Sequence, residues 1–362
     1  MAKTLIIRYH RIGDALIALP LVVAAAKKYP EDEFTLLSNI RFESLFVDMP
    51  ANLRFMPMVE RSPSGIFRGI SYLMRRKMFL AKMKSFVLGF DKVAFLQYEP
   101  FEQELHKSIK DSKRNIQAAI TDETEFLSSK RLENKCWDGM TMTGLHRLAF
   151  SQLGYTGLEI MQQPPSIKNK DFPALYRKLG INKDKIRIAI APFSKEKSKV
   201  YPLDKMERVA AYFAAQSDKY QVLILGGGIR EKNFVDTWVQ KYPDIISLID
   251  TIPFAEEVVI IAQSTLVLSM DSANLHLASF MHTPVISIWG ATAPQNGYYP
   301  SKEDIGYAVI RHLDCQPCSI FGTKHCIRPK QFECLDIPPE EIIGKMEKAI
   351  SIIKQYENAG RE

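Results

Sequence analysis

The stretch TLVLSMDSANLHLASFMH, residues 265–282, places a carboxylate, a hydroxyl and an imidazole at one junction. An apolar run ends at Met270, Asp271-Ser272-Ala273-Asn274 turns, and a helical pattern containing His276 follows. The first amides of a helix entered from a buried strand form an anion site, strengthened by the positive end of the helix dipole. His276 lies in the first turns, where an imidazole N–H reaches a phosphate. The same residues also have a purely structural use, with Asp271 or Ser272 as N-cap and His276 as a half-buried helical residue. A second candidate is APFSKEKSKVYPLDK, residues 191–205, where Ser194, Lys195, Lys197 and Lys199 lie between a strand and a helix start at Tyr201-Pro202. Lysines there suit a diphosphate, as point charges on flexible stems, and equally describe an exposed basic loop. The glycines of LILGGGIREK, residues 223–232, do not complete a dinucleotide fingerprint and read as a helix-entry turn near the nucleotide. The last candidate is Asp14, in TLIIRYHRIGDALIALPLVVAAAKK, between Gly13 and a long apolar run. It caps a helix that Gly13 turns into, or it stands at the mouth of a cleft and carries chemistry.

These residues need elements to hold them. The strand-like runs TLIIRYH, EFTLLSNI and KVAFLQYE alternate with helical stretches in the first half. After the proline- and charge-rich stretch at 161–185 the pattern restarts as IRIAIAPF, YQVLILGG, IISLI, TLVLSMD and PVISIWG, again separated by helices. Strand and helix alternating at this spacing predict βαβ crossovers and parallel sheets. The fold class is therefore α/β, with two Rossmann-like domains facing each other across a ligand-binding cleft. The expected boundaries are 1–163 for the amino-terminal domain, 164–185 for a linker, 186–336 for the carboxy-terminal domain, and 337–362 for a final helix returning toward the amino-terminal domain.

A chain of 362 residues with 46% hydrophobic and 25% charged content belongs to the folded, water-soluble class rather than the disordered one. The formal charge of +7 implies anionic partners: nucleic acid, phosphorylated molecules or an acidic membrane surface. The segment 65–90 mixes Leu, Met and Phe at helical spacing with Arg68, Arg75, Arg76, Lys77, Lys82 and Lys84. It reads either as a solvated basic face or as a surface for an anionic acceptor or lipid headgroups. No apolar run reaches the roughly 18–20 residues that span a bilayer. A signal peptide at the amino terminus conflicts with the charges at 8, 11 and 14, so a cytoplasmic location is expected. Cys315, Cys318, Cys326 and Cys334 have one close pair and then two wider gaps, which fits a two-pair structural zinc site poorly. Structural zinc, a disulfide and free thiols all stay open.

Taken together, the chain resembles glycosyltransferase family 9, the ADP-heptose:lipopolysaccharide heptosyltransferases of GT-B fold. The resemblance runs nearly end to end. It is carried by Gly13-Asp14 with Pro20, by GLHRLAFSQLGY (144–155), by Lys199-x-Tyr201-Pro202, by Asp271-Ser272 with His276, and by TPVISIWGATAP (283–294).

The resemblance implies an inverting transfer with Asp14 as general base. Ser194, Lys199, Ser272, Ala273, Asn274 and His276 would bind the donor diphosphate, and Asp271 and Gly13 would order the loops or meet the sugar. His10, Arg11, Arg68, Arg75 and Arg76 are candidates for the acceptor. ADP-heptose would be the donor, a lipid-linked lipopolysaccharide core saccharide the acceptor, and the protein would lie peripherally at the inner membrane. No cofactor and no nucleic acid are expected. The sequence contains no Asp-x-Asp pair, so a metal-independent mechanism is expected as well. This chain departs from the family pattern at Ala273, Asn274 and Tyr201, and in having His10-Arg11-Ile12 before Gly13. The alternatives are a GT-B enzyme using a UDP- or GDP-sugar, and a non-catalytic nucleotide- or nucleic-acid-binding protein, whose affinity would spread over many cations.

Overall fold

Mostly apolar runs become the central strands of two all-parallel sheets. The computed structural model describes residues 1–46, 48–58, 72–97, 99–112, 115–120, 141–160, 165–299 and 307–359; among these, unit 1 ends at 160 and unit 2 begins at 165. Unit 1 contains β1 (Lys3–Ile7), α1 (Ile12–Lys28), β2 (Glu33–Asn39), β3 (Leu53–Met58), α2 (Tyr72–Val87), β4 (Lys92–Phe95), α3 (Pro100–Ile109), β5 (Ile116–Ala119) and α4 (Met142–Gln152). Its sheet has the order β3-β2-β1-β4-β5. β1 pairs in parallel with β2 and β4, and its Leu5, Ile6 and Ile7 are fully buried, as expected of a strand covered on both faces.

Unit 2 contains α5 (Pro173–Leu179), β6 (Ile186–Ala191), α6 (Leu203–Ala214), β7 (Tyr220–Ile224), α7 (Ile229–Lys241), β8 (Ile245–Ser247), α8 (Phe254–Gln263), β9 (Leu266–Met270), α9 (Ala273–Phe280), β10 (Val285–Trp289), β11 (Ala308–Ile310) and α10 (Pro339–Ala359). The sheet order is β11-β10-β9-β6-β7-β8, which is the doubly wound order with β6 as its first strand. In each unit the strand order reverses beside the first strand, between β1 and β4 and between β6 and β9. Ligands in such sheets bind at the carboxyl ends of the strands flanking that reversal. Asp14 follows β1, the lysine loop follows β6, and Asp271 follows β9, so the candidate residues lie at the switch point of their own sheet.

The terminal helix α10 has one face packed on unit 2. Its Ile342, Met346, Ala349 and Ile350 are buried in the core cluster of unit 2, together with Met206, Val209 and Phe213 of α6. The spacing of these four places them on one helical face, and that face is covered by unit 2.

Near the start of α8, Glu257 is largely buried, and burial pushes its carboxyl up to about 7. The folded state then holds a proton that the unfolded chain has released between pH 4.5 and about 7. Stability falls as pH rises through that window. Glu257→Gln is expected to raise stability at pH 8 by about 2–3 kcal/mol and to leave it unchanged at pH 4, measured by urea unfolding at both pH values.

Candidate active site

In unit 1 the candidate residues gather around Arg8, one residue past the end of β1. Arg8 is 3% exposed, and its guanidinium makes two contacts that fix it. One terminal nitrogen donates to the Leu96 carbonyl at 2.8 Å, and the other meets Asp14 Oδ2 at 2.7 Å. A guanidinium this far from water needs a counter-charge, and Asp14 supplies it. On the far side, His146 of α4 is fully buried and held well below its usual range, first by burial and then by the charge of Arg8. The imidazole is therefore neutral at physiological pH, and Asp14 is the partner that balances Arg8.

Asp14 does not cap α1. The N-cap position is Arg11, with φ 53° and no side-chain cap, and Asp14 lies in the first turn of the helix. The left-handed residue at this turn is Arg11 rather than Gly13, a conformation uncommon outside glycine. His10 stacks against Tyr9, its backbone N–H donates to Gln97 Oε1 at 3.0 Å, and Arg11 lies 4.0 Å from Glu99. Arg68 lies outside the described residues, as do the side chains of Arg75 and Arg76.

Unit 2 carries its own cluster of candidate residues. A short 3₁₀ turn, Lys197–Lys199, carries the lysine side chain to Asp271, with Nζ 2.8 Å from Oδ2. The same oxygen accepts from the Thr292 hydroxyl at 2.7 Å. Asp271 is thus a buried carboxylate pinned by a cation and a hydroxyl, and it ties the β6, β9 and β10 loops together. Ser272 occupies the N-cap position of α9, but its hydroxyl makes no cap bond and pairs instead with Ser269 at 3.1 Å. The Ala273 and Asn274 amides open the helix, and His276 is buried in its second turn. Ser194 is half-buried in the loop after β6.

Two features that sequence reasoning missed lock the lysine loop. The Ser198 carbonyl accepts from Ala291 N at 3.1 Å, and a Cβ on Gly290 would lie 2.1 Å from that oxygen, so only glycine permits the approach. Tyr201 is fully buried, donates to the Ile337 carbonyl at 2.7 Å, and has its phenol pushed upward chiefly by burial. Tyr201 is a structural anchor for the loop. Arg8 and His146 were also missed as members of the site. The visible signals were a charge in the otherwise apolar TLIIRYH and a histidine within GLHRLAF.

The four cysteines line one small cavity with Ser198, Lys324, Arg328 and Glu333, and all are free thiols. Burial pushes Cys334 up to about 11. Among the described residues no group of three or more His, Cys, Asp or Glu side chains has the arrangement to hold a metal ion. The loop is fixed by backbone instead: Cys318 N and Ser319 N both donate to the Ala291 carbonyl at 3.0 Å, and Ser198 Oγ donates to the Gly322 carbonyl at 2.6 Å. It buttresses the Lys199 turn.

Two doubly wound units, with a carboxylate at one switch point and a lysine-bearing loop at the other, define the GT-B architecture. The family model for glycosyltransferase family 9 (heptosyltransferase) matches residues 123–324, and the chain belongs to that family. It is 26% identical over 188 residues to lipopolysaccharide heptosyltransferase 1 of Campylobacter coli, a match covering 51% of this chain and 52% of that protein. The chain thus spans about half the length of this curated relative. In fold it is similar to a glycosyl transferase family 9 protein from Veillonella parvula DSM 2008, with a TM-score of 0.68, 16% identity, and coverage of 96% of this chain and 97% of that one. E. coli heptosyltransferase WaaC with ADP superposes with a TM-score of 0.65 at 14% identity, covering 96% of this chain and 99% of that one.

Proposed function

We propose that the protein is an inverting, metal-independent glycosyltransferase that moves a heptose from an ADP-sugar to a lipopolysaccharide core-type acceptor. Asp14 takes the proton of an acceptor hydroxyl, and the freed oxygen attacks the anomeric carbon of the donor. The bond from that carbon to the diphosphate oxygen breaks, the configuration inverts, and ADP leaves with the bonding electron pair. Lys199, the opening amides of α9, Ser194 and His276 stabilise the charge that develops on the departing diphosphate. In the absence of an Asp-x-Asp pair, these groups supply the positive field that a divalent cation provides elsewhere. ADP as the nucleotide and heptose as the sugar are supported by family membership and by the similarity to WaaC with ADP. A lipid-linked acceptor implies work at a membrane surface.

The observation that carries this reading is the Lys199–Asp271–Thr292 cluster at the β6/β9 switch point, beside the uncapped start of α9. Isothermal titration with ADP, UDP and GDP tests it. Selective binding of ADP is expected. A preference for UDP or GDP keeps the transferase and removes ADP-heptose, and absence of binding to all three removes the enzyme.

A further inference from the structure

The positive charge of this chain is not spread over it. Residues 61–90 hold seven of the 48 Lys and Arg residues and none of the 41 Asp and Glu residues. The other 332 positions carry 41 of each sign, so the whole formal excess of +7 resides in this one segment.

All of α2 lies within that segment. Its inner face is settled: Val87 is buried, and Leu80, Met83 and Phe86 pack against the core cluster formed by β1, β4 and α3. Its outer face is exposed at Lys77, Met78, Ala81, Lys82, Lys84 and Ser85. Met78 is 62% exposed, and Phe79, whose ring lies 5.1 Å from Phe101, is 42% exposed at the border of the two faces. At 100° per residue, Met78, Ala81 and Ser85 form one stripe along the helix. Lys77 and Lys84, seven apart, flank it on one side and Lys82 flanks it on the other. An apolar-to-small stripe between rows of flexible lysines is suited to lie in the plane of a headgroup layer, with the ammonium groups spread among phosphates and the stripe turned to the acyl boundary.

We propose that the outer face of α2 docks onto an anionic lipid bilayer. Charge complementarity chooses the bilayer's sign, and the exposed methionine between the lysines favours a bilayer over a nucleic acid, since that stripe offers bases no hydrogen-bonding side chain except Ser85. Docking depends on this face and not on the transfer chemistry, so a variant inactive in sugar transfer would still bind through it.

Co-sedimentation of the full chain with large unilamellar vesicles tests the assignment, comparing pure phosphatidylcholine with vesicles containing about a third phosphatidylglycerol. Binding is expected only to the anionic vesicles, and to weaken with added salt. Each lysine near such a surface contributes about fivefold, so Lys77→Glu, Lys82→Glu and Lys84→Glu together are expected to lower the partition coefficient by more than a hundredfold. The corresponding triple Gln variant, which adds no repulsion, is expected to lose about a hundredfold. Met78→Ala is expected to lose several-fold without changing the salt dependence. Far-ultraviolet circular dichroism and thermal unfolding check that each variant is folded. Equal binding to neutral and anionic vesicles, no vesicle binding by the wild type, or wild-type affinity in both triple variants would overturn the proposal. Tighter binding to a DNA duplex than to anionic vesicles, lost in the same variants, would also overturn it and give the face to nucleic acid.

Discussion

Asp14→Asn is expected to lower sugar transfer by about a thousandfold while ADP affinity stays within a factor of two, because a positioned general base contributes roughly 10²–10⁴ and the proposed donor residues belong to unit 2. The amide is nearly isosteric and cannot accept the acceptor's proton. Asp14 is also the counter-charge of Arg8, however, 2.7 Å away and with Arg8 3% exposed. Removing one member of a buried ion pair costs about 3–5 kcal/mol, so loss of activity alone would not separate chemistry from unfolding. The double variant Arg8→Gln with Asp14→Asn makes the separation. It removes both charges, so much of the stability lost in Asp14→Asn is expected to return, as read by urea unfolding, while transfer stays near the Asp14→Asn level. Recovery of transfer together with stability would make Asp14 a purely structural counter-ion. Single-turnover assays at saturating donor, using the folded fraction, measure the chemical step.

What the sequence disclosed and what it hid have physical causes. The central strands were legible because strands buried on both faces are nearly continuous apolar runs, as LVLSM of β9 and VISIW of β10 are apart from one buried serine each. The edge strands β3, β5 and β11 were not: LRFMPM is interrupted by Arg54 and Pro57, and IQAA and AVI are only four and three residues long, whereas the edge strand β8 was marked by the apolar run IISLI. The placement of Asp14 near the end of β1 was legible. Its role as a cap was misread, because the local rule assigns the left-handed turn to Gly13 and tertiary contacts put it at Arg11. The partnership of Arg8 with Asp14 spans a strand–helix junction, and no single periodicity reports contacts across one. The Lys199–Asp271 pair joins residues 72 positions apart and depends on β6 lying beside β9. A pattern of alternating strands and helices implies a parallel sheet but does not state which strands are neighbours. The covering of the terminal helix was hidden as well. Its apolar face was visible, but its partner, the α6 face of unit 2, could not be read from the helix itself.

Lys199→Ala is expected to weaken ADP binding by about ten- to a hundredfold, the loss of one charge-assisted contact of roughly 1.5–3 kcal/mol. Asp271 complicates the simple reading. In the structure Lys199 neutralises that carboxylate, and the two side chains are only 14% and 8% exposed. Without the lysine, Asp271 retains the Thr292 hydroxyl and an uncompensated negative charge beside the opening amides of α9. That charge would repel a diphosphate even if Lys199 never touched one. Two mechanisms therefore predict the same single-mutant result: a lysine that binds the donor, and a lysine that only silences Asp271. The cycle Lys199→Ala, Asp271→Asn and the double variant distinguishes them, with ADP affinity from calorimetry and stability from urea unfolding. If Lys199 binds the donor, the double variant recovers stability but remains at least tenfold weaker for ADP than the wild type. If Lys199 only screens Asp271, the double variant returns to wild-type affinity. The first outcome is expected, because an ammonium on a flexible stem at the mouth of the switch point can pass from Asp271 to a phosphate oxygen, while Thr292 continues to hold the carboxylate in place.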